Sequence, residues 1–301
     1  MPDPTIPSAS SSTPASTPPD SPGAKKPKTD AAFWKNTGAR FLTAAIGIPI
    51  LLWLMFVAPP LGFQLLVYAA IARAAYELFR MTMDGAPALL WAGIGATLAV
   101  AGVLLFYPQP EAYLTLMFAL PAAGALLGLS YPQPNRDAGV RTAWLMAGPL
   151  YVGALMASVG RLHQLESGGQ WVLLAMWLAW ASDTGAYFAG RYFGKTKLAP
   201  SVSPSKTVEG ALGGLGGSLT GGLAAHFWFL PNLPLVHAVV LALVAGALGQ
   251  AGDLAESLIK RSTGFKDSGN LLPGHGGLLD RVDALMFTGT TCLLYNLWLA
   301  G

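Results

Sequence analysis

Two polar segments interrupt a predominantly apolar chain, and their residue types suit the handling of phosphates. The first, residues 191–209, opens the run RYFGKTKLAPSVSPSKTVEG, where Lys195, Lys197 and Lys206 alternate with Ser203, Ser205 and Thr207. Cations and hydroxyls at a helix start suit phosphate oxygens, because the unpaired N–H groups and the positive end of the helix dipole point the same way. The run lacks GxxxxGK[ST], so it is not a P-loop, and the same composition also suits a basic face for anionic lipid headgroups. The second, residues 256–282, lies within the densest polar stretch of the chain, SLIKRSTGFKDSGNLLPGHGGLLDRVD from Ser257 to Asp283. Asp280 and Asp283 share a face if a helix begins there, and Gly274, Gly276 and Gly277 let backbone approach a ligand closely. Carboxylates beside cations point to a metal ion and a polyphosphate, with hard oxygen donors favouring Mg²⁺. The scattered histidines and single cysteine offer no zinc-ligand spacing. His275, between glycines, is a candidate acid, base or phosphate donor, or else a loop histidine satisfied by backbone.

Other ionisable residues fall inside apolar stretches, where they are costly and usually face protein or water. Asp183 is followed at i+4 and i+8 by Tyr187 and Arg191 on one helical face. Gln250, Asp253, Ser257 and Lys260 draw one polar stripe down a helix, with Glu256 beside it. Such a stripe would hold a metal through its carboxylates and a phosphate through Lys260; its plainer reading is a solvated helix end. Arg73 and Glu77, four apart, are read mainly as neutralising each other.

The elements that position these groups must be membrane helices. The chain is 53% hydrophobic and 11% charged with a mean hydropathy of +0.48, against roughly 25% charged residues in soluble domains. Cys292 has no partner, which excludes a disulfide scaffold. The net charge of +3 does not point to nucleic acid, since placement of Lys and Arg matters more than their sum in such a chain. Residues 1–30 are rich in Pro, Ser and Thr and predict a disordered cytoplasmic tail reaching to about residue 40, with no signal-peptide core. Apolar stretches follow at 41–58, 61–81, 87–107, 112–130, 142–160, 170–190, 210–230, 234–255 and 283–300. They predict an all-α polytopic bundle of about nine membrane helices, because continuous apolar runs in lipid leave helices as the natural solution. Residues 41–160 form its N-terminal helices and 161–301 the region carrying the chemistry.

If the spans alternate, one side of the membrane receives every Lys and Arg except Arg161 and the intramembrane Arg73. That side is cytoplasmic, and it includes the N-terminus and both polar loops. Gly213, Gly217 and Gly221, with Gly210 and Gly214, allow close helix approach and are read chiefly as packing.

The stretch from Ser257 to Asp283 resembles the signature of the phosphatidate cytidylyltransferase family. It carries the Ser-x-x-Lys-Arg start, the Lys-Asp pair, the Pro-Gly-His-Gly-Gly turn and the Asp-Arg-x-Asp end. SDTGAYFAGRYFGKTKLAP, SPSKTVEG and GDLAESLIKR resemble the family's other motifs, whereas the first five spans agree only in being hydrophobic. The resemblance implies that CTP and phosphatidic acid are joined to give CDP-diacylglycerol and pyrophosphate at the cytoplasmic face of a membrane, expected to be the bacterial inner membrane. It implies metal ligation by Asp253 and Asp280, with Asp283 in support, for Mg²⁺ and a second cation. Lys260, Arg261, Lys266 and Arg281 would then bind the triphosphate or lipid phosphate, and Ser203, Lys206 and Thr207 would close the phosphate site. Asp183 and His275 join the candidate catalytic set. A homodimer is a further expectation, from the family and from the Gly-rich seventh span. Two rivals share parts of this inventory. A CTP-dependent kinase of a polyprenol or phytol also needs a membrane site and Mg²⁺, and a transporter would explain intramembrane Asp183, Asp253 and Glu77.

Overall fold

In a computed structural model that describes residues 45–130, 135–269 and 276–299, the chain is mostly helical. The expected tail, the start of the first span and His275 lie outside the described residues. Helices α1 (Ala45–Phe56), α2 (Pro60–Thr82), α3 (Pro87–Phe106) and α4 (Pro110–Ser130) form the first group. Pro60, Pro87 and Pro110 open their helices, where a missing N–H leaves no bond unmade. Next come α5 (Asn135–Gly148), a π-helical turn at Pro149–Ala154 and α6 (Leu155–His163), which run on as one helical segment. The last group is α7 (Gly168–Phe193), α8 (Val208–Ala224) with a π-helical turn at Ala225–Phe229, α9 (Leu235–Ser262) and α10 (Leu279–Leu299).

Each apolar stretch of the sequence coincides with one of these helical segments. Four of them, Pro87–Phe106, Pro110–Ser130, Asp137–His163 and Leu235–Ser262, are long and apolar enough to cross a membrane by length and composition. The outer surface is apolar as well: Trp91, Phe118, Leu129, Trp228 and Trp298 are all exposed, which suits lipid rather than water. The all-α expectation needs one correction. Lys197–Ala199 (β1) pairs antiparallel with Ser203–Thr207 (β2), with Lys197 opposite Thr207 and Ala199 opposite Ser203. Pro200 and Pro204 exclude helix in this stretch, while a tight turn between its halves allows the backbone groups to pair with each other.

Close helix packing sets the site. Helices α7 and α8 meet through small residues: a methyl group added at Gly185 would strike the Gly213 carbonyl, one at Gly213 would strike Ala189, and one at Gly217 would strike the Ala181 carbonyl. The glycine stripe is therefore used within the chain, as the packing reading expected, and gives no argument for a second copy. Hydroxyls then tie helix to helix: Ser218 Oγ donates to Ala242 O at 2.8 Å (α8 to α9) and Thr288 Oγ1 to Ala175 O at 2.9 Å (α10 to α7). In an apolar medium such bonds lock rotation and register between otherwise featureless surfaces.

Candidate active site

The ends of α7, α8 and α9 and strand β2 enclose a cavity of about 440 Å³, open to one side. Asp183, Tyr187, Gly190 and Arg191 line it from α7, so the face read from their spacing is the face that looks inward. Arg191 Nη1 donates to the Tyr187 hydroxyl at 3.1 Å. Strand β2 contributes Ser205 and Lys206, and α9 contributes Gln250 and Asp253. Lys206 Nζ lies 2.6 Å from Asp253 Oδ2, and both side chains keep partial access to solvent. Gln250 Nε2 donates to Ala211 O at 3.1 Å and to Ser182 Oγ at 3.3 Å, holding α9 against the other two helices.

The hairpin is anchored by charge and by capping. Thr207 Oγ1 accepts from Gly210 N at 3.1 Å as the N-cap of α8, so this hydroxyl is engaged in starting the helix. At the surface, Glu209 accepts from the Lys195 and Thr196 backbone N–H groups at 3.0 and 3.2 Å. Those backbone hydrogen bonds, the one from Lys195 foremost, pull its carboxyl down to about 2. Arg261 Nε donates to Val202 O at 3.3 Å, bracing the hairpin turn from the end of α9.

A second polar group lies at the junction of α9 and α10. Lys260 Nζ is 2.9 Å from Glu256 Oε2 and 2.6 Å from Asp280 Oδ1. Asp280 Oδ2 accepts from Ser268 Oγ at 2.9 Å, Gly277 N at 3.0 Å and Ser268 N at 3.1 Å. Asp283, three residues further along α10, is buried, and its Oδ1 accepts from Ala284 N at 2.7 Å. Arg281 follows Asp280 in the first turn of α10 and is exposed.

The structure thus divides the expected residues. Asp183, Lys206, Thr207 and Asp253 meet at the cavity, and Lys260 and Asp280 meet beside it. Ser203 starts β2 outside the cavity lining, where Ser205 stands instead, and Lys266 is exposed. Asp253, Asp280 and Asp283 do not come together as one preformed ligand group; among the described residues no three Asp, Glu, His or Cys side chains do. The donor set still fits a magnesium ion, which takes one or two carboxylates and fills its sphere with water and substrate phosphate. Asp183 and Asp253 offer hard oxygens to an open cavity, and the buried Glu256 Oε1 has no hydrogen-bond partner.

Two contributors escaped the sequence reading. Glu256, placed beside the stripe, is the residue that turns inward to Lys260 with only 1% exposure. Glu77 was paired with Arg73, and that ion pair exists at 2.9 Å. The same carboxylate also accepts the Leu278 and Leu279 backbone N–H groups and sits beside Ser268. An acidic residue in an apolar span was the only available signal, and Arg73 four positions earlier accounted for it locally.

Comparison with known proteins identifies relatives along most of the chain. Residues 38–298 match the model of the cytidylyltransferase family. A protein of Brucella melitensis named phosphatidate cytidylyltransferase is 37% identical over 269 residues, covering 87% of this chain and 93% of the relative. Relatives of the same name occur in Pseudomonas aeruginosa, 37% identical over 272 residues (87% and 97% covered), and in Bacillus subtilis, 33% identical over 254 residues (82% and 93% covered).

Proposed function

Because the chain belongs to the cytidylyltransferase family, we propose that it transfers the cytidylyl group of CTP to phosphatidic acid, forming CDP-diacylglycerol and releasing pyrophosphate. The observation that carries the reading is the cavity that Lys206 and Arg191 line together with Asp183 and Asp253, with Lys206 paired to Asp253. That is the inventory for neutralising a triphosphate beside a cation.

The lipid phosphate oxygen attacks the α-phosphorus of CTP, a P–O bond forms, and the bond to the β-phosphate oxygen breaks to release pyrophosphate. No covalent enzyme nucleophile is needed, so catalysis is mainly positioning and charge neutralisation. Lys206 exchanges its partner Asp253 for a phosphate oxygen, while Arg191 and Arg281 offset the charge of the leaving pyrophosphate. Lys260 holds Asp280 and Glu256 in register behind the cavity. Asp183 and Asp253, whose oxygens face the cavity, would hold Mg²⁺ with Asp283 in support, and the ion would supply neutralisation of developing charge on the phosphate oxygens. The aspartates bind and orient; the cationic side chains gather the phosphates.

All nine helical segments cross the membrane in this reading, with the N-terminus and the cavity on the cytoplasmic side of a bacterial inner membrane. The support is the segregation of Lys and Arg to the ends of the helices that carry the site. Diacylglycerol chains remain in lipid while the headgroup reaches CTP through a lateral opening at the cavity mouth.

The test supplies purified protein with phosphatidic acid, α-labelled CTP and Mg²⁺. Label enters the lipid phase and pyrophosphate is released, and D280N loses about 10–100-fold of the rate because Asp280 supports the ligand shell. Release of CDP without label in lipid identifies a lipid kinase instead. Unchanged turnover and Mg²⁺ dependence in D280N removes Asp280 from the site.

A further inference from the structure

Glu77, in α2, takes no part in the chemistry above, yet its carboxylate is among the most completely engaged in the described structure. Its side chain is 1% exposed. Leu278 N donates to Oε1 at 3.1 Å and Leu279 N donates to Oε2 at 2.8 Å, while Arg73 Nη2 lies 2.9 Å from Oε1 and Ser268 Oγ 3.2 Å from Oε2. Leu279 begins α10, so Glu77 lies at the N-terminus of that helix as an anion supplied by a different helix. Unpaired N–H groups and the helix dipole both favour a negative charge there.

The surrounding backbone is shaped to this carboxylate. A methyl group added at Gly277 would come within 2.6 Å of Glu77 Oε2, and one at Gly269 within 2.5 Å of Oε1. Ser268 then links Glu77 to the site, because its hydroxyl is also 2.9 Å from Asp280 Oδ2. That hydroxyl has one proton to share between two carboxylates. Neutralising Arg73 needs none of these contacts.

We propose that Glu77 is a positioning residue for the transfer reaction. It clamps Ser268, Gly277 and the first turn of α10, and through them holds Asp280 against Lys260. The inference rests on the cytidylyl-transfer reading. It goes beyond that reading by making an α2 carboxylate, which lies neither in the cavity lining nor among the candidate catalytic residues, a determinant of the catalytic arrangement.

The test compares full-length wild type, E77Q, E77D and S268A in lipid nanodiscs by cytidylyl transfer, thermal unfolding and amide hydrogen exchange. Gln keeps the size of Glu but loses the charge and one acceptor, leaving its amide facing an N–H donor. E77Q is expected to lower kcat about 10–100-fold, as for residues that orient a ligand shell, with KM for CTP changed much less. Exchange at Leu278 and Leu279 accelerates, and E77D restores part of the rate. S268A lowers kcat in the same direction and leaves exchange at those amides near wild type. Wild-type kcat in folded E77Q, a loss of rate that only follows the folded fraction, or unchanged exchange at Leu278 and Leu279 overturns the proposal. If E77Q does not fold, S268A decides: a lowered kcat supports the link to Asp280 and an unchanged one removes it. If wild type itself transfers no label, the reaction reading falls, whereas exchange in E77Q still decides the clamp.

Discussion

Replacing Gly217 with Ala tests whether the glycine stripe positions the active site, and its neighbour Gly216 provides the control. A methyl group at Gly217 would overlap the Ala181 carbonyl oxygen and press on the Gly185 Cα at 3.4 Å, whereas one at Gly216 meets nothing within 4 Å. Both substitutions gain the same helix propensity, about 1 kcal/mol, so this contribution cancels between them. The obstacle at Gly217 is backbone and cannot rotate away. Helices α7 and α8 must part, by roughly 1 Å to regain van der Waals separation, at an overpacking cost of about 1–3 kcal/mol. G217A should therefore be less stable than G216A by about 1–3 kcal/mol in reversible unfolding from mixed micelles. Because α7 carries Asp183 and α8 follows directly from Lys206, the displacement also separates the two walls of the cavity. A misplacement of about 1 Å costs on the order of 100-fold in rate, so kcat/KM of G217A should fall by about that factor while G216A stays near wild type. Equal stability and equal turnover in the two variants would refute both the packing argument and its link to catalysis.

Three further outcomes are expected. K206M should unfold at nearly the wild-type temperature, since a partly exposed ion pair contributes about 0–1 kcal/mol. Its KM for CTP should nevertheless rise tenfold or more, a charge-assisted bond to phosphate being worth about 1.5–3 kcal/mol; an unchanged KM takes Lys206 out of the phosphate site. Glu209 has a depressed folded-state pKa, so its contribution is complete above the ordinary carboxylate range and is lost as pH falls through about 2. Protection of the Lys195 and Thr196 amides should accordingly persist at pH 4 in wild type and be weakened at every pH in E209Q, and equal protection in the two proteins would exclude the anchor. Finally, A186C and L198C at the cavity should react with a lipid-phase maleimide while the buried Cys292 does not, and absence of modification at both positions would exclude the lateral opening.

Much of this protein was legible without its structure. Continuous apolar runs specify helices in any medium that cannot satisfy an open backbone, and each run became a helical segment. The spacing of Asp183, Tyr187 and Arg191 placed them on one face because helical periodicity is local. The residue types around Lys206, Asp253 and Asp280 pointed to a metal ion and a polyphosphate, since charge neutralisation leaves its mark in residue types, and the resemblance of those motifs to the phosphatidate cytidylyltransferase family implied cytidylyl transfer.

Local rules went no further than the elements. That Gln250 reaches Ser182 and Ala211, that Arg261 braces Val202, and that Lys260 meets Asp280 as well as its neighbour Glu256 depends on which sides the helices turn to one another. Glu77 is the clearest case. Within α2 an arginine four residues away satisfied its charge, and nothing in the local pattern indicated that α10 begins against it. Tertiary packing made that contact, because a buried carboxylate must use its remaining lone pairs and the unpaired N–H groups of α10 needed an acceptor.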